Sequence, residues 1–486
     1  MQITDHNHNP APRPAIQLWA SLTLLVCLTC GIVVKAWGQG TEFSPYSRHG
    51  LGLQSAFVPP SFAGMGGLSS IGADGYSFSH ENPATAGTLV ATTFQVSGHG
   101  TRLGLSEEGY GDFAVANTGS IGPMGLVFKR NGGKNALIFG VQPFLQTGYA
   151  ITQAEEDPNA GTVEKTYDGL GGLSIAQLGW SRSFRGTRFV AAGTQDSIAV
   201  RGTQLHVAGQ VRYLFGSVER TSRLDIFDPT FLDNRTSTHF EHRAAAWNVG
   251  VILDQLIYAR YGSKRDFQKS LTFRLSASLQ GSDSLTTDYE RLATNTQTFG
   301  GVVTPVDTAF YTSFETRSAL PIGIQAGAGL LFDHANGRRL LIGVEWVQRD
   351  WTSLNADDSG IEWMGEGWAW NPEKRLHAGI QWKPGNPEQR HPLWGMTTYR
   401  AGFARGELPL KREETGETLE SWSVSAGLSL PMRGSRSASK LHLGMDFGKR
   451  NMSDQLGLQE QILNIHIGFT LNPFYKNIWL TPRLYD

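Results

Sequence analysis

The chain has 486 residues, a formal charge of −1 and an isoelectric point near 6.9, so it lacks the basic excess of a nucleic-acid-binding protein. Hydrophobic residues make up 40% and the mean hydropathy is −0.25, which excludes a bundle of membrane-spanning helices. Glycine is frequent, with 58 residues, and it permits tight turns while it disfavours helices.

One apolar run of 17 residues, Leu18 to Val34, lies near the start of the chain. Arg13 precedes it, and Ala36 and Gly38 supply small residues at the two positions that a signal peptidase reads. We predict that residues 1–38 are a secretory signal peptide. The alternative is an uncleaved anchor helix, for which the run is short beside the roughly 20 residues of a membrane span.

Both cysteines, Cys27 and Cys30, lie within this apolar run, so the rest of the chain has none. A small secreted domain held together by disulfides is therefore excluded. Lipoprotein processing is disfavoured because Val26 and Thr29, which precede the two cysteines, are not the small residues that this processing prefers.

Apolar and polar residues alternate along most of the remaining chain, with no amphipathic helical stretch between the alternating segments. In the last segment, Ile465 and Ile467 lie on one face while Asn464 and His466 lie on the other. The pattern predicts an all-β fold with about fourteen strands, at 89–99, 122–130, 135–150, 171–184, 203–216, 244–260, 268–282, 319–333, 338–350, 375–383, 397–407, 420–431, 439–448 and 461–471.

The polar face of these strands carries Gly, Ser and charged residues, as does the lumen wall of an outer-membrane barrel. A soluble barrel or sandwich has the same periodicity with its faces reversed. The signal peptide and strands of about 9–11 residues or more favour a transmembrane antiparallel β-barrel in the outer membrane of a Gram-negative bacterium. Tryptophans near strand ends fit interfacial girdles: Trp180, Trp247, Trp346, Trp382 and Trp422.

Connection lengths alternate as in a barrel with both chain ends in the periplasm. Every odd-to-even connection has at least 12 residues, whereas 131–134 and 334–337 are four-residue turns rich in Gly and Asn. Two connections, 185–202 and 384–396, are longer than this alternation predicts. An additional hairpin around Phe189 is one explanation for the first.

Residues 39–88 are too rich in Gly and Pro to form barrel strands. Within them, GMGGLSSIGADGYSFSHENPATAG resembles the N-terminal hatch of the FadL family, which transports long-chain fatty acids and other hydrophobic compounds across the outer membrane. The shared features are Gly64–Gly67, Ala73 with Asp74, and Asn82–Ala84. Other stretches resemble family members from gliding or type IX-secreting bacteria: Ser44–Gly50, Gly169–Gly172, Tyr213–Gly216 and Trp479–Asp486.

The resemblance implies a fourteen-stranded barrel over 89–471, with residues 39–88 as a plug (hatch) in the lumen. Residues 472–486 would be a periplasmic tail, which departs from barrels that end on an aromatic at the last strand. Ligand would enter from the extracellular loops, bind in an apolar pocket above the plug and leave through a gap beside a kinked strand.

The implied function is passive uptake of a hydrophobic or amphiphilic small molecule, without ATP, cofactor, metal or enzyme activity. Its partners would be this molecule and outer-membrane lipid, and no nucleic acid is expected. The alternative is a structural or adaptor barrel with a sealed wall, which docks to the proteins of a type IX-like secretion complex.

Within the plug, Met65, Asn82, Pro83 and Ala84 are candidates to contact ligand or to gate the lumen. The alternative for Asn82–Ala84 is a turn, because Asn bends the chain, Pro fixes φ and Ala is small enough to pack.

Four arginines share the predicted lumen face with Glu345 and Asp446, and each can hold a carboxylate head group through a bidentate contact: Arg212, Arg274, Arg375 and Arg400. Alternatively, these charges pair with one another. The histidines of the same face, among them His377 and His442, do not have the spacing of a metal site.

Trp363, Trp368 and Trp370 lie in the long connection 351–374. Exposed aromatic side chains can capture an apolar ligand at the cell surface. The alternative is a loop that packs on itself or rests on the outer leaflet.

Overall fold

The computed structural model describes residues 44–54, 58–72, 74–107, 111–130, 132–158, 161–192, 196–228, 230–262, 264–299, 302–354, 361, 363–365, 367–385, 393–432, 438–454 and 457–472. The predicted signal peptide, Ala73 and nearly all of the predicted tail lie outside the described residues. No helix in the described ranges is long and apolar enough to cross a membrane.

Strands dominate the described chain. They are β1 (Leu53–Gln54), β2 (Thr93–Glu107), β3 (Gly111–Lys129), β4 (Asn135–Asp157), β5 (Gly161–Ala192), β6 (Asp196–Ile226), β7 (Asp233–Tyr261), β8 (Phe267–Ser282), β9 (Ser284–Phe299), β10 (Val302–Ala319), β11 (Gly323–His334), β12 (Arg339–Arg349), β13 (Trp368–Trp370), β14 (Glu373–Lys383), β15 (Thr398–Arg412), β16 (Thr418–Pro431), β17 (Lys440–Met452) and β18 (Leu458–Leu471). Short α-helices span Pro60–Ala63, Thr85–Thr88 and Leu393–Met396, and 3₁₀ turns span Pro45–Arg48 and Trp351–Leu354.

Fourteen of these strands form a closed antiparallel barrel in the order β2–β3–β4–β5–β6–β7–β8–β11–β12–β14–β15–β16–β17–β18. The ring closes where β18 pairs with β2, from Leu471 opposite Phe94 to Leu458 opposite Glu107. Each predicted strand overlaps one strand of this ring, so the all-β fold with about fourteen barrel strands is confirmed. The first strand begins at Thr93 rather than at residue 89.

The outside of the barrel is apolar and the inside is polar. On β18, Ile465 is 58% exposed whereas His466 is 3% exposed. The five tryptophans predicted for girdles, Trp180, Trp247, Trp346, Trp382 and Trp422, are all exposed. An apolar exterior around a polar lumen is the arrangement of an outer-membrane barrel, because lipid meets the exterior.

The two ends of the barrel differ. We call the end with long connections, such as 350–372, the loop end, and the end with short turns, such as 335–338, the turn end. At the turn end, β5 runs to Ala192 and β6 begins at Asp196. Residues 185–192 and 196–202 therefore extend the β5–β6 hairpin, and Phe189 lies in it opposite Ala199 instead of in an additional hairpin.

A sheet projects from one side of the barrel at the loop end. β5, β6 and β7 have 32, 31 and 29 residues, much more than a membrane crossing requires. The predicted connection 283–318 contains the hairpin β9–β10, in which β9 pairs with β7 and β10 pairs with β9. We call the projecting parts of β4, β5, β6, β7, β9 and β10 the loop-end sheet.

Residues 58–72 and 74–89, which we call the lumen segment, lie inside the barrel. Gly66 N donates to Ser425 Oγ of β16 at 2.7 Å. Gln95 Nε2 of β2 donates to the carbonyl of Phe78 at 2.8 Å, and Asn248 Nδ2 of β7 donates to the backbone carbonyl of residue 81 at 2.8 Å. These strands lie on different sides of the ring, so the segment spans the lumen from wall to wall.

Candidate functional site

The barrel wall is interrupted between β3 and β4. The two strands pair from Lys129 opposite Ala136 to Met124 opposite Val141, although both continue well beyond that point toward the loop end. We call this interruption the seam. It is the only break of this kind among the described pairings of the ring, and every other neighbouring pair is longer.

Proline occurs where the pairing stops. Pro123 follows the seam on β3, and Pro143 lies on β4, where the pairing with β5 is also irregular between Pro143 and Leu145. Because proline has no backbone N–H, it cannot donate to a strand ladder. The two prolines thus account for the end of the β3–β4 pairing.

Residues 44–54, which we call the strap, lie behind the seam inside the barrel. Strand β1 of the strap pairs with β4, and Ser44 N donates to the carbonyl of Gly148 at 2.8 Å. At its other side, Ser44 Oγ donates to Glu460 of β18 at 2.5 Å. Since β2 and β3 lie between β18 and β4 in the ring, the strap bridges the wall behind these two strands.

An apolar cluster closes the loop end of the lumen above the strap. Trp351 and Trp370 stack with ring centroids 5.6 Å apart, and Trp363 is 5% exposed. Trp368 is half-buried and stacks on His49 of the strap at 4.4 Å. The structure therefore packs all three candidate tryptophans of the loop against the strap and the cluster, and it does not present them at the cell surface.

A cavity of about 190 Å³ lies between the strap and the lumen segment. Charged side chains contribute to its lining: Glu81, Glu345, Arg349, Arg375, Asp446 and Arg450. The apolar pocket expected above residues 64–87 is therefore replaced by a cavity of mixed polarity. This lining suits an amphiphile, because the charged side chains can bind a polar group while apolar residues such as Val58, Phe144 and Leu408 also contribute.

Two of the candidate arginines hold the lumen segment. Arg274 binds both carboxylate oxygens of Asp254, at 2.5 and 2.7 Å, and donates to the carbonyl of Ile71 at 2.6 Å. Arg212 donates to the carbonyl of His80 and to Gln280 at 2.8 Å. Both guanidinium groups therefore already bind groups of the protein, as is usual for buried charges, although Arg212 Nε has no hydrogen-bond partner among the described residues.

The other two arginines also have partners. Arg400 donates to Gln381 at 2.8 Å and to Ser429. Arg375 lies 2.9 Å from the carboxylate of Glu373. The four arginines therefore do not converge on one head-group site, and only Arg375 lines the cavity.

Asp74 is the main buried anion of the lumen segment. It accepts a hydrogen bond from Lys440 of β17 and lies 3.6 Å from Arg400. Burial alone raises the pKa of the Asp74 carboxyl, but the charges of Lys440 and Arg400 outweigh burial and hold this pKa below its ordinary value. Asp74 is therefore ionised and binds the segment to the wall near the turn end.

Comparison with known proteins identifies the family. The profile of the BamG family matches residues 21–486. The chain belongs to the BamG family. No protein of curated function matches it.

Solved structures similar in fold to this BamG-family chain include hydrocarbon channels and transporters. A deltaS2 mutant of the TodX monoaromatic hydrocarbon channel is 13% identical, with a TM-score of 0.50, and the match covers 85% of this chain and 98% of that one. The P. putida toluene transporter TodX is 14% identical, with a TM-score of 0.49 and coverage of 86% and 99%. A Pseudomonas aeruginosa FadL homologue is 11% identical, with a TM-score of 0.47 and coverage of 87% and 100%. At such identities the likeness concerns the fold.

In this BamG-family chain, Asn82 forms a turn and also ties the lumen segment together. Its Oδ1 accepts from the backbone N–H of Ala84 at 3.0 Å, and its Nδ2 donates to the carbonyl of Ser70 at 3.0 Å. Pro83 lies against Gly250 of β7. Ala84 and Met65 are completely buried, so both pack within the lumen segment and neither lines the cavity.

Sequence reasoning placed Glu345 on the lumen face, but it did not predict that a group of residues around Glu345 and Arg349 fixes the lumen segment. Glu345 accepts from the backbone N–H groups of Ser69 and Ser70 at 3.0 and 2.6 Å. Arg349 lies 3.3 Å from Glu81 and 3.4 Å from Glu373. In the sequence, the only indication was that Glu345, Arg349 and Glu373 lie on the polar faces of their strands. No group of three His, Cys, Asp or Glu residues in the described ranges is arranged to hold a metal ion.

Proposed function

We propose that this BamG-family barrel passes hydrophobic or amphiphilic molecules, such as long-chain fatty acids, between its lumen and the membrane without ATP. The observation that supports this proposal is the seam between β3 and β4. Unpaired backbone groups are costly in hydrocarbon, so a barrel with a purely structural role gains nothing from an incomplete wall. The TodX structure that shares the fold is named a monoaromatic hydrocarbon channel, which agrees with this proposal.

The strap is the element that must move in this proposal. Its backbone pairs with β4 through the two-residue strand β1 and through hydrogen bonds at Gly148. A contact this short is easily opened, because few backbone bonds are lost. Displacement of the strap would break its contacts with Glu460 and the apolar cluster, and it would connect the cavity with the seam while the strand pairings of the ring stay intact.

A reversible cross-link tests this route. Gln54 of the strap lies opposite Leu145 of β4, so the pair Q54C/L145C would fix the strap behind the seam. We expect the oxidised variant to lose fatty-acid uptake by intact cells and to recover it after reduction. The matched control is V424C/F447C, on paired positions of the closed β16–β17 ladder, which should transport equally in both states. Undiminished uptake by the oxidised strap variant would contradict the proposal.

A second candidate function is an adaptor barrel that docks to the proteins of an outer-membrane secretion complex. The loop-end sheet favours it, because in the described residues β10 pairs with β9 alone, over Val302–Ala319. An edge strand is a template for a further strand. Val303, Phe310 and Tyr311 on β10 are more than half exposed, which suits protein contact.

Deletion of the β9–β10 hairpin separates the two functions. We expect an adaptor to lose proteins that copurify in mild detergent when residues 284–319 are replaced by a short Gly–Ser linker. A transporter should keep its uptake in the same variant. The two readouts are independent, because the hairpin lies outside the closed ring.

A further inference from the structure

The near-zero charge of the chain conceals opposite charges at the two ends of the barrel. Among the described side chains of the loop-end sheet and Asp283 next to it, the exposed acidic residues are Glu155, Glu156, Asp157, Glu219, Glu241, Asp283, Glu290, Asp307 and Glu315, and the exposed basic ones are Arg235, Arg291 and Arg317. Among the described side chains around the turns at the opposite end, the exposed basic residues are Arg130, Lys134, Arg182, Arg188, Arg201, Arg260, Lys264, Arg265, Lys269 and Arg338, and the exposed acidic residue is Asp266.

These ten basic residues form one continuous surface, which we call the basic arc. They belong to the β3–β4, β5–β6, β7–β8 and β11–β12 hairpins, which are neighbours in the ring. Hydrogen bonds join the hairpins: Arg185 donates to the carbonyl of Gly132 at 3.0 Å, and Arg188 donates to the carbonyl of Leu256 at 2.6 Å. The arc is therefore held together by the fold.

Exposed aromatic side chains are interleaved with the basic arc. The guanidinium of Arg182 lies 5.5 Å from the ring centroid of Phe184, and Lys269 Nζ lies 5.9 Å from that of Tyr258. Phe184, Tyr258 and Phe189 are 49%, 47% and 72% exposed. Aromatic rings beside long basic side chains are typical of the boundary between hydrocarbon and head groups, where the ring is half immersed and the charge reaches the phosphates.

We propose that the basic arc binds the phosphates of anionic phospholipids in the leaflet that meets the turn end. Arginine pairs with phosphate through two parallel N–H groups, and basic clusters beside a membrane attract anionic lipid. The aromatic residues favour lipid over an acidic protein, because they place the arc at the membrane boundary. Lipid binding by the basic arc does not depend on whether the barrel transports small molecules or docks to other proteins.

Native mass spectrometry tests the proposal. The protein is released from nanodiscs that contain equal amounts of phosphatidylglycerol and phosphatidylcholine, and the retained lipids are counted. We expect the wild type to keep several-fold more phosphatidylglycerol, with a preference that weakens as salt is added. Neutralisation of the arc in R182Q/R188Q/K264Q/R265Q/K269Q should bring the two lipids to equal retention.

Two further variants make the result specific. R235Q/R291Q/R317Q removes exposed arginines from the loop-end sheet and should keep the wild-type preference. R182K/R188K preserves the charge and should keep it as well, which guards against a folding defect in the neutralised protein. Equal retention of both lipids by the wild type, or an unchanged preference in the neutralised variant, would overturn the proposal. If an acidic protein binds the basic arc in place of lipid, the wild type should retain both lipids equally.

Discussion

Asp74 of the lumen segment and Lys440 of β17 form a buried ion pair although 366 residues separate them in the chain. Their side chains are 4% and 5% exposed. Neither charge can be solvated in the lumen on its own, so each depends on the other. The pair therefore anchors the lumen segment to the last part of the barrel wall.

Removal of this carboxylate should destabilise the protein. D74N leaves Lys440 and Arg400 buried without their counter-charge, which typically costs about 3–5 kcal/mol. We expect a lower urea midpoint for the folded barrel in detergent at neutral pH. The control is D333N: Asp333 and Arg339 pair at 2.6 Å but are 26% and 34% exposed, so the cost should stay below about 1 kcal/mol. Equal midpoints for the two variants would contradict the anchoring role.

His80 should make stability depend on pH. Burial lowers the pKa of His80 to about 4. The charge of Glu81 opposes this shift, and the charge of Arg212 adds to it. The unfolded pKa of His80 is about 6.5. The unfolded state therefore binds the proton first as pH falls, and stability is lost between about pH 6.5 and 4 with a slope of up to about 1.4 kcal/mol per pH unit.

The substitution H80Q should flatten this part of the profile. The slope is the readout, because the variant also loses the hydrogen bond between His80 Nδ1 and Gln177 Nε2 at 2.7 Å. H334Q, at an exposed position of the β11–β12 turn, serves as the control for removal of a histidine and should keep the wild-type slope. If the H80Q slope matches that of the wild type, the neutral buried histidine is not its source.

The barrel strands could be predicted from sequence because lipid and lumen impose opposite preferences on alternate residues. Ile465 and His466 of β18 show this pattern, and it needs no distant partner. The β9–β10 hairpin was missed because most of Ser284–Phe299 is polar, and its few apolar residues, among them Leu285, Tyr289 and Leu292, do not alternate along the strand.

The candidate site was less predictable, because its contacts join parts of the chain that are far apart. Nothing near Asp74 in sequence points to Lys440. The seam had a local signal in Pro123 and Pro143, but proline also marks turns, and the partner strand was unknown. The sequence predicted the four arginines on the lumen face, but only the structure shows which groups they bind.

Close approach of Asn82 to the wall gives a prediction about Gly250. A Cβ at Gly250 would lie 2.2 Å from Asn82 Oδ1 and 3.0 Å from Pro83 Cδ. G250A should therefore push the Asn82–Pro83 turn away from β7 and cost about 1–3 kcal/mol. We expect faster proteolysis within the lumen segment and a lower urea midpoint. G209A is the matched control, since a Cβ there meets nothing closer than 3.9 Å, and similar behaviour of both variants would argue against the close packing.

The apolar cluster at the loop end should control access to the lumen. Trp370 is 2% exposed, stacks on Trp351 and lies directly against Gly50 of the strap. W370A removes a buried ring whose loss typically costs about 3–5 kcal/mol. We therefore expect the strap to exchange its amide hydrogens faster and planar bilayers to show ion conductance that the wild type lacks.

The control for this prediction is W394A, because Trp394 is 65% exposed at the turn end and its loss should change stability by less than about 0.5 kcal/mol. Conductance in W370A with unchanged exchange at the wall strands would show that the cluster is the barrier. The contrary result is that W370A matches W394A in both amide-hydrogen exchange and ion conductance. It would show that the charged contacts of the lumen segment close the lumen without the cluster, because these contacts do not involve Trp370.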